Sequence, residues 1–476
     1  MTGRDAPDRS VRRRRVLAVT GAGIAALAGC NSGGDGDDGG GGLRTTTGSD
    51  GNGTTGSGNT GGSETETADW RMYRGGPGQA AYTPGSGPGG DAAVEWTWTT
   101  PNGEEFVNPS GNWQVAVEDD TAYVATSVAY GEGTSRSYLY GLDAATGDRR
   151  WVYEYDWGEA EVGSEHSMPV VVDGRAIFRV SGYAGDRWEY VGVDDGEAAW
   201  TAPPTPEDED KRAALEKSPL ALSDGTVLAA VGTTSYRRLA PSVGEFSGDA
   251  IRVGRTPTVA DDSQFAQWGE TFQRRPLGGE GPDWSFDWRE RAIVANQWTP
   301  AVYADGTAYF GVGIDFFDVP DGPEVPDPRR PRLFAVDAET GTENWTRVLE
   351  TERGERQSGE ANNDDYWYLH GRVAALAVGP ETVYAYTTTG DVAALSPDDG
   401  STRWRTPVTD RNRASVPGGI VACPDGVYVA LPDGVAHVSG DGEASSLASG
   451  DYETATLSVA GGRLYVARSE RIEVYG

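Results

Sequence analysis

The stretch Leu333 to Trp345, LFAVDAETGTENW, reads as a short apolar strand, a tight turn and a returning strand that ends in tryptophan. Within it, Asp337 and Thr340 are residue types that hydrogen-bond local backbone, and Gly341 accepts the positive φ of a tight turn. Trp345 then brings a large apolar surface and one N–H that needs a partner. Variants recur at Tyr140 to Trp151 (YGLDAATGDRRW), Tyr190 to Trp200 (YVGVDDGEAAW) and Val392 to Trp404 (VAALSPDDGSTRW). The spacing from glycine to tryptophan is the same in all four, from Gly147, Gly196, Gly341 and Gly400. Equal spacing in every copy is what packing requires. Trp151, Trp200, Trp345 and Trp404 are therefore read as wedges against a neighbouring unit, with Asp143, Gly147, Asp337, Gly341 and Gly400 forming the turns. A ring of tryptophans around a cofactor is the weaker reading.

Outward from these motifs, each copy is preceded by two more short strands. Pro169 to Val180 precedes the second copy, Pro300 to Val312 the third and Val373 to Tyr386 the fourth. Val115 to Thr126 has the same place before the first, and Gly418 to Leu431 and Ala455 to Val466 open two further units. A four-stranded antiparallel unit with apolar residues on both faces must stack on neighbours, and radial stacking gives a β-propeller. The segment from Val94 to Gly476 divides into eight units of about 48 residues. Two of these, about Ser218 to Gly254 and about Thr256 to Arg291, lack the motif. Eight blades is the reading, with seven the alternative. The last unit lacks a fourth strand, and the orphan Val94 to Trp98 is expected to supply it, closing the ring with the N-terminal part of the chain.

The first 30 residues read as an address. A basic run, Arg12 to Arg15, precedes the apolar Val16 to Ala28, which is too short for an ordinary membrane span. Arg13-Arg14-Arg15-Val16-Leu17 resembles a twin-arginine (Tat) export signal, and Leu27-Ala28-Gly29-Cys30 resembles a lipobox whose cysteine receives lipid. Residues 31–67 are almost all Gly, Asp, Ser, Thr and Asn, with no apolar face to bury, and read as a disordered tether. Residues 68–476 are the propeller. The expected location is the outer face of the cytoplasmic membrane, held by lipid on Cys30. Asn52 and Asn344 begin sequons. Cys423, the other cysteine, lies in an apolar run and reads as a buried thiol.

Acidic residues number 73 against 40 basic, giving a formal net charge of −33. This points to a surface adapted to high salt, as in a halophilic archaeon, where screening shortens charge repulsion to a few ångströms. It excludes nucleic acid as a partner, because no basic stripe exists to meet phosphates. The protein is expected to be a monomer.

The motif Leu/Val-Asp-x-x-Thr-Gly-x-x-x-Trp, at Leu142 to Trp151 and Val336 to Trp345, resembles the tryptophan-docking repeat of pyrroloquinoline-quinone-like (PQQ-like) β-propellers. Asp69 to Gly75, with Trp70, Met72 and Arg74, resembles the opening of such domains. The resemblance implies one of two kinds of protein. The first is a PQQ-dependent alcohol or sugar dehydrogenase, whose alcohol-oxidising members hold the quinone on the propeller axis beside calcium, against a disulfide of adjacent cysteines. Here no Cys-Cys pair and no haem-attachment motif occur, and His166, His370 and His437 have no ligand spacing. No catalytic residue, metal ligand or cofactor is expected, PQQ and calcium entering only if that alternative holds. The second kind is the BamB-like lipoprotein, a lipid-anchored propeller that binds partner proteins. This implies a non-catalytic scaffold for envelope proteins. A third class is a propeller binding a small ligand or cation. Long insertions carry exposed aromatics fit for binding anchors: Tyr366, Trp367 and Tyr368 first, then Phe316 and Phe317.

Overall fold

The computed structural model describes residues 69–70, 74–76, 79–99, 115–129, 135–155, 164–182, 188–203, 220–221, 224–232, 235–252, 255–260, 262–268, 271–279, 281–287, 297–313, 331–349, 373–409, 419–452, 454–468 and 471–476. The chain divides into Met1–Ser63, of which no residue is described, and Glu64–Gly476. The signal, Cys30 and the tether therefore lie outside the described residues, as do Phe316, Phe317, Tyr366, Trp367, Tyr368 and His370.

The described residues of the second unit form eight antiparallel sheets and no helix, an eight-bladed β-propeller. Blade 1 is Ala116–Tyr155, blade 2 Ser164–Ala202, blade 3 Leu220–Arg252 and blade 4 Arg255–Asp287. Blade 5 is Gln297–Val348, blade 6 Val373–Pro407 and blade 7 Ile420–Ser449. Blade 8 takes its three inner strands from Thr456–Tyr475 and its outer strand from Val94–Trp98. In that blade Val94 sits opposite Tyr475 and Trp98 opposite Ile472. Gly476 and Ala93 exchange backbone hydrogen bonds at its end. The two blades without the sequence motif are complete four-stranded sheets.

The first strand of each blade faces the axis. Side-chain hydroxyls there join blades: Thr299 to the Val373 carbonyl, and Ser458 to the Val115 carbonyl at 2.9 Å. Apolar residues on both faces of the strands fill the wedges between blades. Between blades 4 and 5 the filling is aromatic, with Phe272 and Phe310 stacked at 4.0 Å and Phe310 and Phe334 at 5.2 Å. Because every blade is a four-strand meander, its first and third turns emerge at one end of the axis, the turn face. The strand ends flanking residues 130–134, 156–163, 204–219, 314–330, 350–372 and 410–418 all lie at the opposite, loop face.

Candidate functional site: the inter-blade joints and the axial arm

On the turn face, a tryptophan of one blade packs on the positive-φ glycine of the next. Gly400 has φ +67°, and a Cβ built on it would lie 2.6 Å from the Trp345 ring. The same contact places Trp151 on Gly196, Trp200 on Gly244, Trp404 on Gly442, Trp284 on Gly341 and Trp96 on Gly147. Only glycine satisfies both demands, since the backbone is left-handed and the ring occupies the Cβ position. Most of these indoles also donate across the joint. Trp345 Nε1 reaches the Pro397 carbonyl at 2.7 Å, and Trp200, Trp284 and Trp404 reach Pro241, Ala338 and Gly440 at 2.7, 2.9 and 2.8 Å. Within its own blade, Trp151 covers Gly141 and Trp200 covers Gly192, where a side chain would collide with the ring.

The turns themselves are built by the short polar side chains. Asp337 Oδ1 accepts from the Thr340 N–H and hydroxyl, both at 2.7 Å. Asp143 Oδ1 accepts from the N–H groups of Ala145 and Thr146 at 3.0 Å. Both carboxyls are held below the usual range, Asp143 by Arg150 and those N–H groups, Asp337 by Thr340. Nothing at these turns is arranged for proton transfer.

Two docking tryptophans, Trp284 and Trp96, escape a search on the motif. Trp284 follows a turn without the Asp–Thr pattern, and the glycine that receives it lies in the next blade. Trp96 lies on the strand supplied from the N-terminal side, far in sequence from blade 8. At the turn face of the 3–4 joint no described tryptophan docks on a glycine, and nothing lies within 4 Å of the Cβ position at Gly278.

The described part of the N-terminal arm lies on the axis. Trp70 exchanges backbone hydrogen bonds with Val117 of blade 1, and the Val378 N–H of blade 6 reaches the Ala80 carbonyl. Ala422 of blade 7 bonds Ala81 and Thr83, and the Thr258 hydroxyl of blade 4 reaches Gln79. An arm touching the inner strands of blades 1, 4, 6 and 7 must cross the axis. It is buried there: Trp70 is 0% exposed, Arg74 1% and Gln79 4%. The guanidinium of Arg74 donates to the Leu376 carbonyl. Arg74, Gln79 and Ala81 have φ of 60°, 50° and 50°, a left-handed backbone that the surrounding inner strands hold in place. Beyond Thr83 the arm passes along blade 7 to reach blade 8. Gly87 and Gly90 run so close to Tyr428 and to His437 and Ser445 that a Cβ would overlap them. The small residues of this stretch serve that close passage.

Two further titratable groups, His166 and Cys423, are enclosed. His166 Nδ1 lies 2.8 Å from the Ser127 hydroxyl between blades 1 and 2, and desolvation pushes its pKa down to about 4. Cys423 is 2% exposed, and burial pushes its thiol pKa well up, so it holds its proton at neutral pH. Its side chain stacks into the core of blade 7, on the strand that pairs with Ala81 and Thr83.

Residues 325–470 match the family model described as outer membrane protein assembly factor BamB. Among solved structures, BamB from Moraxella catarrhalis is similar, at 16% identity and a TM-score of 0.50, over 81% of this chain and 97% of that one. Quinohemoprotein alcohol dehydrogenase from Comamonas testosteroni also aligns, at 12% identity and a TM-score of 0.44, over 86% of this chain and 80% of that one. The comparison with curated proteins returns no match. The chain therefore has the β-propeller fold, and its residues 325–470 are similar to the BamB family model.

Proposed function

We propose that this protein is a lipid-anchored propeller on the cell surface that binds other envelope proteins and does no chemistry of its own. One observation carries the reading: at the turn face the axis is filled by the chain's own arm. In quinone-dependent relatives the cofactor and its calcium would occupy the axis. Here the described axis holds Trp70, Gln79 and the guanidinium of Arg74, each buried. A fixed cation opposes a divalent metal, and the inner-strand hydroxyls of Thr258, Thr299 and Ser458 are already bonded to neighbouring blades. These residues do not fit a quinone–calcium site. The fold offers instead a rigid ring with its longer connections gathered at the loop face. The similarity to BamB over residues 325–470 supports a scaffold, and the acidic surface suits a salt-rich exterior.

The test is crosslinking in intact membranes followed by capture of the full chain. Wild type is expected to retain a specific set of proteins. A variant with Phe316, Phe317, Tyr366, Trp367 and Tyr368 changed to serine is expected to lose it while keeping its circular dichroism. Dye reduction with alcohols that depends on added quinone and calcium would overturn the reading.

A further inference from the structure

Blades 3 and 4, which lack the repeat motif, meet through an arrangement found at no other described joint. Trp268 ends the second strand of blade 4, Ser263–Trp268. The Arg275 guanidinium lies 3.7 Å from the centre of its ring, and that of Arg252, at the end of the outer strand of blade 3, lies 5.5 Å away. The geometry is held from both sides. Gln264 of blade 4 donates to the Arg252 carbonyl at 2.7 Å. Arg275 Nε donates to Gln273 at 2.9 Å, Gln273 donates to Thr271 at 2.7 Å, and Thr271 donates to the Trp268 carbonyl at 3.1 Å.

Two like charges are thus gathered on one indole. Among the described residues, neither Arg252 nor Arg275 forms an ion pair. Their neighbours differ: Arg238 pairs with Asp224 at 2.9 Å and Arg274 with Asp283 at 3.4 Å. In a chain with 73 acidic residues, two arginines on one ring with no described carboxylate paired to either stand out. Partial burial, and then the neighbouring Arg252 charge, hold the Arg275 pKa below its ordinary value. The Trp268 Nε1–H is buried and has no acceptor. The Arg252 guanidinium, the remaining Arg275 N–H groups and the indole N–H thus lie in one place with no acceptor for them among the described residues.

We propose that Arg252, Arg275 and Trp268 form a carboxylate-binding site between blades 3 and 4, which takes an acidic segment of a partner protein. Guanidinium N–H groups match a planar carboxylate in two-point contact, and the indole supplies both a third donor and an apolar wall for the side-chain methylenes. The acidic surface elsewhere repels such a segment, so this is the place where it gains contacts. The assignment rests on the protein-binding reading and gives it a chemistry.

The test uses the full chain in detergent and a fluorescein-labelled hexaglutamate peptide, read by anisotropy. Saturable binding is expected. Arg252→Gln, at an exposed position, is expected to weaken it about tenfold, and Arg252→Gln with Arg275→Gln about a hundredfold, with unchanged circular dichroism. Trp268→Phe keeps the ring and removes the donor, and is expected to weaken binding severalfold. Absence of saturable binding, or equal affinity in the arginine variants, overturns the site. Inorganic phosphate displacing the peptide at lower concentration than free glutamate overturns the carboxylate assignment. If the peptide fails while membrane capture still succeeds, only this site is wrong; failure of both removes the scaffold reading as well.

Discussion

The joint between blades 5 and 6 allows a quantitative test of how the ring is held. Trp345 is 6% exposed, donates to the Pro397 carbonyl and lies against Gly400. Trp345→Ala removes a buried aromatic and a cross-blade hydrogen bond, which should cost about 3–5 kcal/mol. Gly400→Ala faces two separate penalties. A left-handed backbone at φ +67° costs alanine about 1 kcal/mol. The new methyl would also sit 2.6 Å from the ring, and relieving that overlap costs about 1–3 kcal/mol more. In the Trp345→Ala background the ring is gone, and the backbone penalty remains together with a contact to the Arg347 stem at 2.9 Å, which that flexible side chain relieves by moving. The double-mutant cycle should therefore show a coupling of about 1–3 kcal/mol. Urea unfolding followed by far-ultraviolet circular dichroism measures all four proteins, provided the slopes agree. Additivity within about 0.5 kcal/mol would refute the idea that the tryptophan and glycine form one joint.

Two further outcomes follow from buried groups. His166 has a folded pKa of about 4, below the 6.5 of an unfolded chain, so on acidification the unfolded state takes a proton that the native state refuses. Stability should fall as pH drops from about 6.5 towards 4, by on the order of 1–3 kcal/mol more in wild type than in His166→Gln; equal losses in the two proteins at pH 4.5 would refute this. The arm covers the strand bearing Cys423, and a Cβ at Gly87 would meet the Tyr428 hydroxyl at 2.4 Å. Gly87→Val in a Cys30→Ser background should dislodge that stretch and raise the reaction rate of Cys423 with a thiol reagent by at least about tenfold; an unchanged rate would show that the arm does not guard the thiol.

Much of the architecture is legible in the residues alone, because a propeller repeats its local solution. Asp337, Thr340 and Gly341 make their turn from groups within six residues of one another, and the fixed step to Trp345, repeated at Trp151, Trp200 and Trp404, marks the outer strand of four blades. Counting those steps, and dividing the interval between Trp200 and Trp345, leads to eight blades even where the motif lapses. What each tryptophan rests on is decided by the neighbouring blade. Gly244, Gly442 and the roles of Trp96 and Trp284 depend on contacts between residues that no local pattern links. The arm shows the same limit more sharply. Its sequence is small and polar, with little periodicity, and only assembly of the ring places Trp70 and Arg74 on the axis, where strands of four blades converge. The pairing of Arg252 with Arg275 on Trp268 is likewise a product of two blades meeting. Turn chemistry and strand period are local, and the sequence determines them; the joints, the filled axis and the unneutralised arginines arise from distant segments packed together, and tertiary structure alone decides them.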